Sequence, residues 1–287
     1  MPDDFMSWQR KDFMTGTKDE LLEKYMGFRT VVGCTTPPQA ALMSYFLKTL
    51  CDEGVKGDLL EIGVYRGRSS MLFGMYLYGR RRLHLVDPGL DGDVLEELTK
   101  NLTDLSPALD FERDVLIDKR LSHELERDAA VHDRGKYAFI HIDGGHSMID
   151  VYRDLEQSAK LLNEWGIVIC DDFYASGRPA VTEGVYRFMH ENPNVFKLLI
   201  TGYNKAVLAR VDAFELWWVR IIQSLGEYLE ANWRPVQIHL YNSPLEFPTL
   251  GLSERAKEHS PFGGYFARQE ARDMIAALTK ACNAATY

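Results

Sequence analysis

The most constraining feature of this sequence is a set of short apolar runs that do not alternate: GDLLEIG, RRLHLVD, YAFIHID and GIVICDD. A strand with one face in water alternates apolar and polar residues. A run that is apolar at nearly every position is covered on both faces, as in a parallel sheet flanked by helices. Stretches of helical character separate the runs: SSMLFGMYLY, then near 93–105, 122–131, 147–163 and 180–191, with a weaker strand near 114–118. Two closely spaced strands follow, VFKLLITGY and KAVLARV, and the short turn around Asn204 makes them a hairpin. Repeated strand–helix units of this kind dictate a doubly wound α/β domain over about 55–211.

The flanking segments read differently. Residues 1–54 are a polar arm or short lid with scattered aromatics, then a helix opened by Thr36-Pro37-Pro38 and running to about Cys51. Residues 212–287 are expected to form a mostly helical extension. Phe214, Trp217, Trp218, Ile221, Leu225 and Leu229 fall near one another at helical spacing. NWRPVQIHLYNSPLEFPTLG is proline-punctuated and reads as irregular, and the last ~20 residues look helical again. The tryptophan stripe is expected to pack on the main domain or on a second copy, so a homo-oligomer is expected; a lid over the substrate is the less favoured alternative.

With 287 residues, 46% hydrophobic and 26% charged, the chain can bury one sizeable core. Its formal charge of −9 argues against nucleic acid as partner, because phosphate binding rests on clustered Lys and Arg, and the dense basic run is only Arg80-Arg81-Arg82. No apolar run reaches the ~20 residues of a membrane span. The N-terminus lacks the apolar core of a secretory signal. Four separated cysteines without a CxxC pair signal neither a disulfide framework nor a zinc site. A cytoplasmic protein with no membrane partner is expected.

The junction EIGVYRGRSS joins the first strand to the first helix, where doubly wound sheets place ligands. Gly63 and Gly67 let backbone approach a ligand closely, and the helix start offers free N–H groups. The spacing is ExGxxxG and not GxGxxG, which disfavours a nicotinamide dehydrogenase. Asp87 ends the second strand twenty positions after Gly67. It either hydrogen-bonds ribose hydroxyls or shapes a turn before Pro88; taken with Glu61 and Gly63, nucleoside binding is favoured.

EGVKGDLLEIGVYRGRSS, HLVD, FIHIDGGHSMIDVYRDLE and GIVICDDF together resemble the class I S-adenosylmethionine-dependent methyltransferases. Within that class they look most like the small-molecule O-methyltransferases related to the macrocin and mycinamicin sugar O-methyltransferases, over about residues 36–211. The resemblance implies a seven-stranded Rossmann-like sheet with a terminal β-hairpin, S-adenosylmethionine as cofactor, and as acceptor a small-molecule hydroxyl on a sugar or other natural-product moiety. It implies that Gly63 and Gly67 line the cofactor, with Glu61 near its methionine end, Ser69 or Ser70 at the helix start and Asp87 on the ribose. In the metal-dependent members the acid ending the fourth strand and an acidic pair ending the fifth bind magnesium. These map to Asp143, which also borders the cofactor, and to Asp171 and Asp172. The general base three residues after the first ligand maps to His146, making His146 and Asp143 the catalytic pair.

Elementary chemistry supports the same cluster. Adjacent strands bring Asp143 near Asp171 and Asp172, and three carboxylates repel unless protonated or bridged by a cation. An all-oxygen set suits Mg2+ or Mn2+, and an imidazole titrates in the range useful for taking a hydroxyl proton. Singly, each residue has a plainer reading: Asp143-Gly144-Gly145 as a turn with Ser147 capping the next helix, Asp171-Asp172 as loop polars, His146 as solvated. Tyr65 and Arg66 contact the cofactor carboxylate or lie exposed, and Ser122 sits near the adenine or caps a helix. His141 reads as a core histidine. Tyr174, Arg178 and Glu183 touch substrate or form a solvated helix start. Rival functions are a metal-independent methyltransferase, a non-catalytic S-adenosylmethionine-binding oligomeric module, and an oxygenase of the cephalosporin-hydroxylase type.

Overall fold

The computed structural model describes residues 18–28, 31–77, 81–127, 136–242 and 248–254. The continuous apolar runs form the centre of one sheet. Strands β1 (Asp58–Ile62), β2 (Leu83–Val86), β3 (Val115–Asp118), β4 (Tyr137–Ile142) and β5 (Leu162–Cys170) pair in parallel. The hairpin β6 (Phe196–Gly202) and β7 (Lys205–Arg210) then inserts with β7 antiparallel to β5. The strand order is β3-β2-β1-β4-β5-β7-β6-β9-β8, with the switch point between β1 and β4. In such a sheet the crevice for ligands opens there, beyond the carboxyl ends of the strands.

Helices cover both faces, which is why these strands carry apolar residues on both sides. On one face lie α1 (Glu20–Gly27), α2 (Pro37–Asp52), α3 (Arg68–Gly74), α4 (Gly92–Leu105) and the long α8 (Phe214–Asn232), their apolar residues joined in one core with those of the sheet. The other face carries α6 (Met148–Leu161) and α7 (Pro179–Glu191). A short turn of helix, α5 (Phe111–Asp114), precedes β3. Local signals set the starts: Thr36 and Gln39 form a capping box with proline in the first turn of α2. Ser147 caps α6, accepting from the Asp150 N–H.

The tryptophan stripe packs on the main domain. Trp217 and Trp218 are fully buried, the Trp217 ring lies 5.5 Å from Phe46 of α2, and its indole N–H donates to the Trp165 carbonyl at 3.1 Å. Asp19, which caps α1, accepts from Tyr76 and Tyr228 at 2.7 and 2.8 Å, so the first and last described helices are tied by one buried carboxylate.

The sheet departs from expectation in size. The stretch read as irregular because of its prolines supplies β8 (Val236–Asn242) and β9 (Pro248–Glu254), so the sheet has nine strands among the described residues where seven were expected. Pro235 stands just before β8 and Pro248 is the first residue of β9, positions where a missing N–H costs no ladder bond. The helix expected near 122–131 is, where described, a 3-10 helix over Ser122–Arg127. The readings of residues 1–17 as an arm and of the last twenty or so residues as helix lie outside the described residues.

A buried histidine makes stability depend on pH. His84 of β2 is almost fully enclosed and donates to or accepts from Tyr137 at 2.7 Å through Nδ1. Burial lowers its pKa to about 4, against the attraction of Asp118. The unfolded chain binds this proton below about pH 6.5 and the folded one does not, so stability is complete above that pH and lost progressively as pH falls toward 4. The expected loss, up to about 3 kcal/mol, is measured by urea unfolding at pH 7 and pH 4.5. His84→Gln, which cannot titrate, should flatten that dependence.

Candidate active site

The carboxyl ends of β1, β2, β4 and β5 open into a cleft of about 690 Å³, in the size range of small-ligand sites. The β1–α3 loop forms one wall. Gly63 has φ +83°, and a Cβ there would collide with the Asp143 carbonyl and come within 2.6 Å of the Gly144 nitrogen. This glycine therefore lets the ends of β1 and β4 touch. Asp87 holds the loop from below: its Oδ2 accepts from the Val64 and Tyr65 N–H groups at 2.8 and 3.0 Å, and Oδ1 from Gly89 at 2.7 Å. Asp87 borders the cleft, and its oxygens retain lone pairs for a ligand hydroxyl. Tyr65 is exposed at φ +50° and Ser69 lines the wall.

The other loop residues lie deeper. Gly67 caps α3 at φ +75°, and a Cβ there would overlap the Leu98 side chain; it serves the turn and helix packing and is not part of the cleft wall. Glu61 is fully buried beneath the wall and accepts from the hydroxyls of Ser69 and Ser70. Ser122 borders the cleft from the far side and donates to Asp154, whose carboxyl burial raises to about 7. Arg66 pairs with Glu97 at the surface.

Asp143, His146, Asp171 and Asp172 all line the same cleft. His146 Nε2 lies 3.0 Å from Asp172 Oδ2. Asp143, His146 and Asp172 place one donor atom each within 4.8 Å of one another, and so do His141, Asp143 and Asp171. Asp172 sits at φ +55°, a conformation Asp tolerates better than most residues. Gly144 and Gly145 act by lacking a side chain: a Cβ on Gly145 would press on the Asp150 carboxylate, which the Ser147 hydroxyl binds at 2.5 Å. Tyr174 and Arg178 flank the acids, with Arg178 Nε 3.9 Å from Asp172 Oδ2.

The electrostatics follow from burial. Asp143 is held well above the ordinary carboxylate range, chiefly because it is buried and also because Asp171 stands beside it. Burial works to raise Asp171 too, but the ammonium of Lys205, 2.5 Å away, together with His141 and the Asp172 N–H, brings it below the ordinary range. The carboxylate oxygens of Asp143 and Asp172, with Arg178 only at their edge, fit a hard divalent cation.

Sequence reasoning missed two contributors. One is the segment Gly33–Thr35, which lines the cleft beside the start of α3 and is held there by Arg68, whose guanidinium donates to the Val31 and Thr35 carbonyls at 2.7 and 3.1 Å. The other is Lys205; a charged residue directly after the turn at Asn204, at the head of an apolar strand, was the available signal.

Residues 60–173 match the family described as a methyltransferase domain. No curated protein matches the chain. Among solved structures, the O-methyltransferase NovP shares 18% identity over 62% of this chain and 83% of its own, with a TM-score of 0.49. TomG from Streptomyces achromogenes, an O-methyltransferase solved with SAM, shares 19% over 72% and 95%, with a TM-score of 0.48. CalS11, a TDP-rhamnose 3'-O-methyltransferase, shares 18% over 66% and 93%, with a TM-score of 0.47. The strand order β3-β2-β1-β4-β5-β7-β6 and the Asp87-braced loop at its switch point fall largely within or beside the stretch, residues 60–173, that matches the methyltransferase-domain family.

Proposed function

We propose that the protein transfers a methyl group from S-adenosylmethionine to a hydroxyl of a small molecule, a sugar or other natural-product moiety, with Mg2+ or Mn2+ at the acids and His146 as general base. The observation that carries this reading is the meeting of Asp143, His146 and Asp172 in the cleft that the Asp87-braced loop walls. The family resemblance of the DGGH and DDF stretches supports the acceptor class, and the formal charge of −9 supports a small molecule over nucleic acid. No described helix is long and apolar enough to cross a membrane, and the described cysteines are unpaired thiols, which supports a reducing, cytoplasmic setting. Among the described residues β8 is one of the two edges of the sheet, the other being β3, and an edge strand can pair with a second copy.

When bound, S-adenosylmethionine would supply a methyl group on a positively charged sulfur, and a divalent ion, which Asp143 and Asp172 would hold, would supply positive charge that eases loss of the acceptor's proton. The chain's own part is binding and proton handling. The β1–α3 loop and Asp87 fix the nucleoside end. His146 Nε2 lies 3.0 Å from Asp172 Oδ2; a proton held on Nε2 toward that carboxylate leaves Nδ1 able to take one from the acceptor hydroxyl. Asp172 then stabilises the imidazolium that forms.

Methyl transfer is assayed as S-adenosylhomocysteine release over a panel of hydroxylated sugars and phenols. Protein stripped with EDTA is expected to lose at least about 90% of its rate and to recover it with Mg2+ or Mn2+. A rate untouched by chelation would favour the second reading, a metal-independent methyltransferase. One observation favours that alternative: Lys205 already supplies a positive charge to Asp171.

A further inference from the structure

Lys205 is fully buried, yet the reaction described above gives it no part. Its ammonium lies 2.5 Å from Asp171 Oδ2 and 3.3 Å from His141 Nε2, and the other nitrogen of His141 lies 3.2 Å from Glu61. Asp171 has its second oxygen engaged as well: Oδ1 accepts the Asp172 N–H at 2.8 Å. A buried ammonium without its carboxylate is strongly unfavourable, so Asp171 cannot be lent elsewhere at low cost.

Two groupings of side chains could hold a divalent ion, His141–Asp143–Asp171 and Asp143–His146–Asp172. In the first, two of the three members already face the Lys205 ammonium, and an ion placed there would meet a like charge. The second has only the half-exposed Arg178 at its edge, with Nε 3.9 Å from Asp172 Oδ2, against 2.5 Å between Lys205 and Asp171 in the first. We infer that Lys205 fills the inner half of the acidic cluster as a built-in cation, so that Asp171 is a positioning residue and the divalent ion is held by Asp143 and Asp172 without it. Asp171 acts through its neighbour: bridging Lys205 and the Asp172 N–H, it fixes the left-handed backbone at Asp172 that presents the Asp172 carboxylate to His146. This differs from the sequence-based expectation that Asp143, Asp171 and Asp172 are equivalent ligands.

The inference rests on the divalent-ion part of the proposed function, and binding of Mn2+ itself, followed by the loss of the free-ion EPR signal on the full chain, tests both separately. The informative variant is Asp171→Asn combined with Lys205→Met, which removes the buried pair together. It is expected to bind Mn2+ within about tenfold of wild type, whereas Asp172→Asn is expected to lose about a hundredfold or more. Thermal melting serves as a second readout: the double variant should melt above Asp171→Asn alone, because neither charge is left unpaired. If the double variant does not fold, Asp171→Asn alone decides, since it keeps an oxygen for the Asp172 N–H: measurable Mn2+ binding supports the assignment. Loss of Mn2+ as complete as in Asp172→Asn, in either variant, overturns it while leaving the metal-dependent reading intact. Wild-type protein that takes up no Mn2+ overturns the metal reading and this assignment with it.

Discussion

Replacing His146 by alanine is expected to lower the turnover number by about 10²- to 10⁴-fold, the usual contribution of a positioned general base, while S-adenosylhomocysteine affinity changes far less. The separation of effects follows from placement. His146 stands in the acidic part of the cleft against Asp172, whereas the loop that would hold the nucleoside is braced from Asp87. Single-turnover rates and calorimetric titration with S-adenosylhomocysteine measure the two quantities. Adding Asp172→Asn to His146→Ala should cost much less than Asp172→Asn alone, because part of the role of Asp172 is exercised through the imidazole. Full activity in the alanine variant would remove His146 as the base.

Gly63→Ala should cost stability and ligand binding together. The left-handed backbone at φ +83° penalises alanine by about 1–2 kcal/mol. The new methyl group also collides with the Asp143 carbonyl and the Gly144 backbone, which belong to a neighbouring strand end and cannot rotate away. A total loss of about 3 kcal/mol or more is expected, which for a chain of this size lowers the melting temperature by roughly 6–12 °C. Gly54 provides the control: it has φ +67° but nothing within 4 Å of the place its Cβ would take, so Gly54→Ala carries the conformational cost alone. Equal melting temperatures for the two variants would show that the contact between β1 and β4 is looser than described. Loss of S-adenosylhomocysteine binding in Gly63→Ala but not in Gly54→Ala would tie that contact to the cofactor wall.

The parallel core was legible because burial on both faces leaves a mark on every residue of a strand, as in FIHI and IVIC. The hairpin was legible from two apolar runs at turn distance. Strands β8 and β9 were not read, although Val236, Ile238 and Leu240 alternate with Gln237, His239 and Tyr241, because prolines at strand ends look the same in sequence as prolines in loops. In the site, the resemblance pointed to Asp143, His146, Asp171 and Asp172, which the structure brings to one cleft, while the Ser147 cap was legible because its signal is local. The division of labour between Asp171 and Asp172 was not legible: it depends on Lys205, far along the chain and on an antiparallel strand, and neither spacing nor periodicity reports such a pairing. Gly67 carried the same signal as Gly63, but the neighbour that demands it is Leu98 of α4 and not a ligand.

The position of β7 between β5 and β6 also bears on how the chain can assemble. The acids follow the ends of the parallel strands β4 and β5, while the ammonium paired with Asp171 comes from the antiparallel strand β7. Cys170 stands opposite Ala206 in the finished sheet. A hairpin docked one residue out of register would put Lys205 or Val207 there instead and turn the ammonium to the other face of the sheet. The buried pair therefore ties strand register to the cleft: only the observed alignment of β7 on β5 sets Lys205 against Asp171.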